Sequence, residues 1–345
     1  MENEPFVRGF VCIVAYDGYA MPGNSYYHYG TDVSSNLDAD PLTIILRSFA
    51  FSLIQGQVKF YILIPCEGSM KEGFDQHFLP TQIELPELTE KSRQYAFIRN
   101  GSEVIHYTHF SLALNRIRRL AIWVAWNVDG GNIKKISRKG SRFIFDPEIP
   151  KQFQVGDELY EKNRLDRGHI ARRADLIWGG LPEAKAANKD SFYFTNITPQ
   201  MDDFNQSTKN GLWGRLEDAV FEDTDVEDLR ISVIGGPVFR ENDREFKGVK
   251  LPSEYWKIII FVEDQKLKAK AFLLTQNLDR LRVLDLDEFR VFQVALNELR
   301  ERSGLKFSPG LIAADSVGQR LSHRLDEEAP RQREPLNSLQ DIDWS

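Results

Sequence analysis

Along most of this chain, apolar residues recur with a period of two, the signature of strands with one face buried. Residues 7–16 alternate in this way, and residues 43–51 and 57–65 read as two further strands around Gln55-Gly56. Residues 1–70 therefore form a small β-rich extension, near the lower size limit for independent stability. Residues 71–100 carry Pro80, Pro86 and scattered charges, a loop-like pattern. A hairpin follows: Phe110, Leu112 and Leu114 alternate on one strand, and Arg116-Ile117-Arg118-Arg119 marks the turn. Leu120, Ile122, Val124, Trp126 and Val128 alternate on the return. Runs at 231–234, 255–262 and 267–274 predict more strands. The period then changes. Phe289, Phe292, Leu296 and Leu299 fall at helical spacing within 286–302, stopped by Gly304, and Leu212, Trp213, Leu216 and Val220 share a second helical face. Strands with isolated helices predict an α+β fold with a mixed or antiparallel sheet core. The main domain is expected over 71–315, and the polar, doubly charged segment 316–345 as a loosely packed tail.

Composition narrows the class. The chain has 345 residues, 42% of them hydrophobic and 28% charged, which fits a soluble globular protein and argues against extensive disorder. No apolar run is long enough to span a bilayer, so no membrane partner is expected. The start, Met1-Glu2-Asn3-Glu4, lacks the basic-then-apolar layout of a secretory signal. The expected location is the cytoplasm, with export by a signal-less route as the alternative. Cys12 and Cys66 lie in strand-like segments and read as reduced core thiols, and no Cys/His spacing suggests zinc. The formal net charge is −7. A nucleic-acid binder is more often basic, so such a function requires a local positive cleft on an acidic molecule.

Of six histidines, His106 and His109 sit among apolar residues and read as structural. His169 differs: it follows Asp166-Arg167-Gly168 and precedes Arg172-Arg173, so a titratable base stands beside guanidinium groups. Downstream come Asn196-Ile197-Thr198-Pro199-Gln200, then Asn205-Gln206, then Trp213-Gly214-Arg215-Leu216-Glu217. Taken alone, Asn196 and Asn205 are turn or helix-cap residues.

Together these pieces resemble the DNA/RNA non-specific endonucleases, the ββα-metal group of Serratia-type nucleases and endonuclease G. The family signature is Asp-Arg-Gly-His, Asn-x-x-Pro-Gln, Asn-Gln and Trp-x-x-Leu-Glu, and all four occur here in order. Gly235-Gly236-Pro237 and Tyr255-Trp256-Lys257 extend the likeness, which runs from about Phe74 to Leu311. The resemblance implies a ββα-metal site that hydrolyses phosphodiesters of DNA and RNA, leaving 5′-phosphate ends. It implies His169 as general base, Asn205 as the protein ligand of Mg2+ (with Mn2+ as a substitute), Asn196 as a supporting polar residue and Glu217 as the group orienting metal-bound water. Arg167 and Arg142 would hold phosphate. Two departures stand out. An insertion around Ser207–Asn210 makes Asn210 a competing ligand. Phe221 stands where the family often carries an arginine, a contact that Arg172 or Arg173 would then supply. The alternative reading is a non-catalytic nucleic-acid-binding module that kept the fold. A non-specific nuclease in the cytosol requires restraint or a role as a toxic defence effector. Residues 1–70, outside the likeness, are the natural place for a regulatory protein or a second copy to act.

Overall fold

The computed structural model describes residues 11–18, 49–54, 57–65, 72–201, 230–276, 278, 290–318, 336 and 339–344. Asn205, Asn210, Glu217, Phe221, the helical face of Leu212, Trp213, Leu216 and Val220, and the side chains of both cysteines lie outside the described residues. The chain divides into two compact units, Met1–Met70 and Lys71–Ser345.

In the first unit, β1 (Val11–Gly18), β2 (Phe49–Ile54) and β3 (Gln57–Pro65) form an antiparallel sheet in the order β1-β3-β2. Ile54 pairs with Gln57 where β2 and β3 approach each other.

The second unit begins with β4 (Glu87–Leu88), α1 (Glu90–Arg93), β5 (Ile105–Tyr107), β6 (Phe110–Asn115) and β7 (Leu120–Asp129). Then come β8 (Leu165–His169), α2 (Arg173–Leu176), α3 (Leu181–Ser191) and β9 (Ile197–Met201). Beyond them lie β10 (Arg230–Val238), β11 (Arg244–Phe246), β12 (Val249–Leu251), β13 (Glu254–Glu263), β14 (Lys266–Thr275), β15 (Arg290–Val294), α4 (Leu296–Ser303), β16 (Leu305–Lys306) and α5 (Pro309–Ala313). Seven strands make one antiparallel sheet in the order β15-β14-β13-β10-β7-β6-β5. The fold is α+β, as expected.

Both faces of this sheet are covered, so its central strands are apolar on both sides. Val124, Trp126 and Val128 of β7 point into one core with Phe194, Ile197 and Phe261. Trp123 and Ala125 point into the other with Ile258, Ile260 and Leu299. Ile122 belongs to the second core rather than to the face of Val124, because the β6–β7 register shifts between Ala113 and Leu114. Such an irregularity reverses the alternation locally. Gly236 is needed beside it: a Cβ there would lie 2.5 Å from the Ile122 carbonyl oxygen.

Two expectations are corrected. Residues 290–294 are strand β15, not the first half of a helix; Val291 and Val294 are β-branched, and pairing with β14 lets the edge bury both faces. The helix begins only at Leu296, buries Leu296 and Leu299, and ends at Gly304 in the left-handed conformation (φ 65°). The loop-like stretch after residue 71 supplies Phe74, Phe78, Leu79 and Ile83 to the second core. Finally, residues 339–344, within the segment read as a loose tail, are docked. Gln293 exchanges two hydrogen bonds of 2.9 Å with the Asp343 backbone, and Ile342 is buried. No helix among the described residues is long and apolar enough to cross a membrane.

Candidate active site

The motif containing His169 and the motif containing Asn196 are partners in one ladder. β8 and β9 pair antiparallel, with His169 opposite Ile197, Gly168 opposite Thr198, Arg167 opposite Pro199 and Asp166 opposite Gln200. Leu165 and Ile197 anchor the pair in the first core. Strand periodicity puts Arg167 and His169 on one face and Gly168 on the other. Gly168 must lack a side chain, because a Cβ there would be driven into the amide of Gln200, itself buried across the ladder. The glycine of the first motif and the glutamine of the second are thus one packing device.

His169 is half-buried between two aromatic rings. The Phe143 ring lies 5.5 Å away and the Phe192 ring 5.4 Å away, nearly perpendicular. Its Nε2 is enclosed without a hydrogen-bond partner among the described residues. Burial, then the charges of Arg138 and Arg173, lower its pKa from 6.5 to about 3. The imidazole is therefore neutral at physiological pH, with a lone pair to offer.

The rings are fixed by the backbone beneath them. The Ile144 N–H donates to the Phe192 carbonyl (3.1 Å), and the Phe194 N–H donates to the Ile144 carbonyl (2.9 Å). Below, the buried Tyr107 hydroxyl donates to Asp146 Oδ2 at 2.6 Å and lies 2.9 Å from Thr195 Oγ1.

Asn196 is completely buried. Its Oδ1 accepts from the Ala171 N–H (2.9 Å), and its Nδ2 donates to the carbonyls of Ala171 (3.0 Å) and Ser191 (3.1 Å). Its polar atoms are thereby committed to backbone. It clamps the exit of β8 to the end of α3.

The arginines divide by commitment. Arg167 donates from Nε to Asp157 Oδ1 (2.6 Å) and lies over Tyr160 (5.0 Å) and Phe143 (5.6 Å), with part of its side chain open to solvent. Arg173 donates to Asn188 Oδ1 and to the Ile136 carbonyl, both at 2.6 Å, so it serves as a tether. Arg172 faces Asp175 at 3.7 Å. Arg142 is exposed next to Phe143. The sequence reading missed Phe143, Phe192 and Arg138. Arg138 carries its guanidinium 5.6 Å from the centre of the Phe192 ring. A legible signal existed for it: Lys134, Lys135, Arg138, Lys139 and Arg142 follow one another with no acidic residue between Asp129 and Asp146.

Among the described residues no three His, Cys, Asp or Glu side chains gather as a metal cage. Metal ligation would rest on Asn205 and on water held by Glu217, both outside the described residues.

The likeness to known proteins follows the same segment. The uncharacterized protein y4fB of Sinorhizobium fredii is 34% identical over 294 residues, covering 76% of this chain and 43% of its own length. The human mitochondrial nuclease EXOG is 28% identical, covering 65% of this chain and 62% of its own. The Serratia marcescens nuclease is 29% identical over 212 residues, 59% of this chain and 73% of its own. This chain thus spans less than two thirds of y4fB and of EXOG. A chain of a crystal structure of an EndoG/EndoGI complex aligns with 63% of this chain and 89% of its own length, at a TM-score of 0.47 and 21% identity. The model of the DNA/RNA non-specific endonucleases matches residues 89–314, well over half of the sequence, and the protein belongs to that family.

Proposed function

We propose that the chain is a metal-dependent endonuclease that hydrolyses DNA and RNA with little regard for sequence or sugar. The observation that carries this is the neutral, enclosed imidazole of His169, two residues along one strand face from a partly open guanidinium. Phosphodiester hydrolysis needs a base for the attacking water and positive charge at the phosphate. His169 takes the proton, and the rings of Phe143 and Phe192 hold the imidazole in place and keep it unprotonated. Arg167, steadied by Asp157 and by two aromatic faces, holds a non-bridging phosphate oxygen, with Arg142 as a second contact. Asn205 would hold a divalent cation, magnesium or manganese, and Glu217 would orient its water shell. That ion, when bound, neutralises charge on the phosphate and on the departing oxygen. Water attacks phosphorus, the bond from phosphorus to the 3′ oxygen breaks, that oxygen departs to become a hydroxyl, and the ends produced carry 5′-phosphates. Contacts made to the backbone rather than to base edges admit single and double strands of either sugar.

Plasmid and RNA cleavage should depend on Mg2+ and stop with a chelator. His169→Ala should lower turnover by ~10² or more while nucleic-acid binding persists. A His169→Ala protein that cuts plasmid at the unaltered rate overturns the assignment, and refusal of RNA overturns the substrate range.

A further inference from the structure

We propose that residues 134–142 form a strap that grips the nucleic-acid backbone beside the cleaved linkage, with Arg138 as its contact nearest His169. This rests on the nuclease reading above, which already uses Arg142, and extends it to the strap's other four cations, Lys134, Lys135, Arg138 and Lys139. The strap carries five cations and no carboxylate, on a chain whose net charge is −7. A run that merely solvates an acidic protein has no reason to concentrate one sign, and the opposite one. None of the five is paired with a carboxylate among the described residues, whereas Arg93, Arg118, Arg167 and Arg302 elsewhere all are. Four of the five are exposed.

The strap is held in place without using those charges. The Lys134 N–H donates to the Ile177 carbonyl at 2.6 Å, Arg173 donates to the Ile136 carbonyl, and Ile144 is bridged to Phe192. Between these pins the chain turns, with the Ser141 N–H on the Arg138 carbonyl (3.0 Å) and Gly140 at a φ of +85°. The turn sets Arg138 over Phe192 and delivers Phe143 against His169. Arg138, Phe192, His169, Phe143 and Arg167 therefore form a continuous row of guanidinium groups and rings. A phosphodiester seated at His169 has its neighbouring phosphates along that row. Among the described residues, the charged groups facing His169 are Arg138 on the strap and Arg173 on α2, and both oppose protonation of the imidazole.

The test uses the full-length protein, a short fluorescent single-stranded DNA and a chelator, with affinity measured across a range of salt. The triple variant K134Q/K135Q/K139Q should make the slope of log affinity against log salt shallower by about 1–2, at roughly 0.7 for each phosphate no longer neutralised. R138Q should weaken binding about 3- to 10-fold and, in cleavage assays with Mg2+, move the acid limb of the pH–rate profile upward; R138K should keep the limb where it is. An unchanged slope in the triple variant, or an R138Q protein with wild-type affinity and limb, overturns the proposal. The binding arm needs no cleavage. A protein whose slope depends on the strap but which cuts nothing sinks the nuclease reading and leaves the strap standing.

Discussion

At the scale of the residue, the chemistry of His169 is decided by what surrounds it. A histidine in water is half protonated near pH 6.5; here burial and two guanidinium groups lower that value to about 3. Two outcomes follow. With His169 as the proposed base, the acid limb of activity should lie below the ordinary histidine range. Stability should behave oppositely: between pH 6.5 and about 3 the unfolded chain binds a proton that the folded chain does not, so folding weakens as pH falls through that window. His169→Gln removes this term. Denaturant titrations at neutral and mildly acidic pH should show wild type losing more stability than the variant, and equal losses would contradict a depressed pKa. Gly168 and Gln200 make a second residue-scale case. Gly168→Ala should cost about 1–3 kcal/mol by overpacking, and Gln200→Ala should return part of that in the double variant. Strict additivity in denaturant titrations would show that the two do not share the space.

At the scale of the element, the site depends on a helix that carries none of its proposed chemistry. The turn between β5 and β6 holds α3 at both ends. His109 Nε2 meets Glu183 at 2.9 Å near the start, and the Thr108 N–H and hydroxyl donate to Asp190 Oδ2 at 3.0 and 2.8 Å near the end. His109 also stacks on Trp178, 3.5 Å between ring centres. The far end of α3 receives Asn196, which in turn holds the residues after His169. Asn196→Ala strands the Ala171 N–H and carbonyl in a dry interior and should cost about 1–3 kcal/mol. Because the Asn196 amide is committed to backbone two residues from His169, the folded variant should lose turnover while its KM for nucleic acid changes little. A KM effect with intact turnover would place Asn196 against substrate instead.

At the scale of the whole molecule, an acidic chain presents a basic strap at its candidate site. The charge that suits a polyanion is local, while the net value of −7 weakens long-range steering. The unit Met1–Met70 lies outside the segment that matches the family model. The second unit has a seven-stranded sheet with a core on each face and should fold without the first. Deleting residues 1–70 should leave a folded, cleaving protein with an altered rate or altered mass in solution, the mark of a regulatory or self-association surface. Cooperative unfolding, a sizing column and a plasmid assay would check this. A folded deletion form identical in rate and mass would remove the regulatory role, and an unfolded one would make the segment part of the core.

Local patterning by itself determined strands β1, β3, β6, β7, β10, β13 and β14, the hairpin at Arg116–Arg119, the helix stopped at Gly304 and the four motifs that mark His169, Asn196, Asn205 and Glu217, because period, turn chemistry and motif spacing are properties of neighbouring residues. It read β15 as helix, since helical spacing across a strand–helix junction is indistinguishable from a helix until a pairing partner is known. Tertiary structure alone decided that the first two motifs share one ladder, that Asn196 spends its amide on backbone, and that Phe143, Phe192 and Arg138 surround His169. The physical reason is desolvation. Which histidine is held neutral depends on residues 23 to 31 positions away on either side arriving at one point, Phe192 covering the ring and Arg138 opposing its charge. No local pattern encodes that convergence.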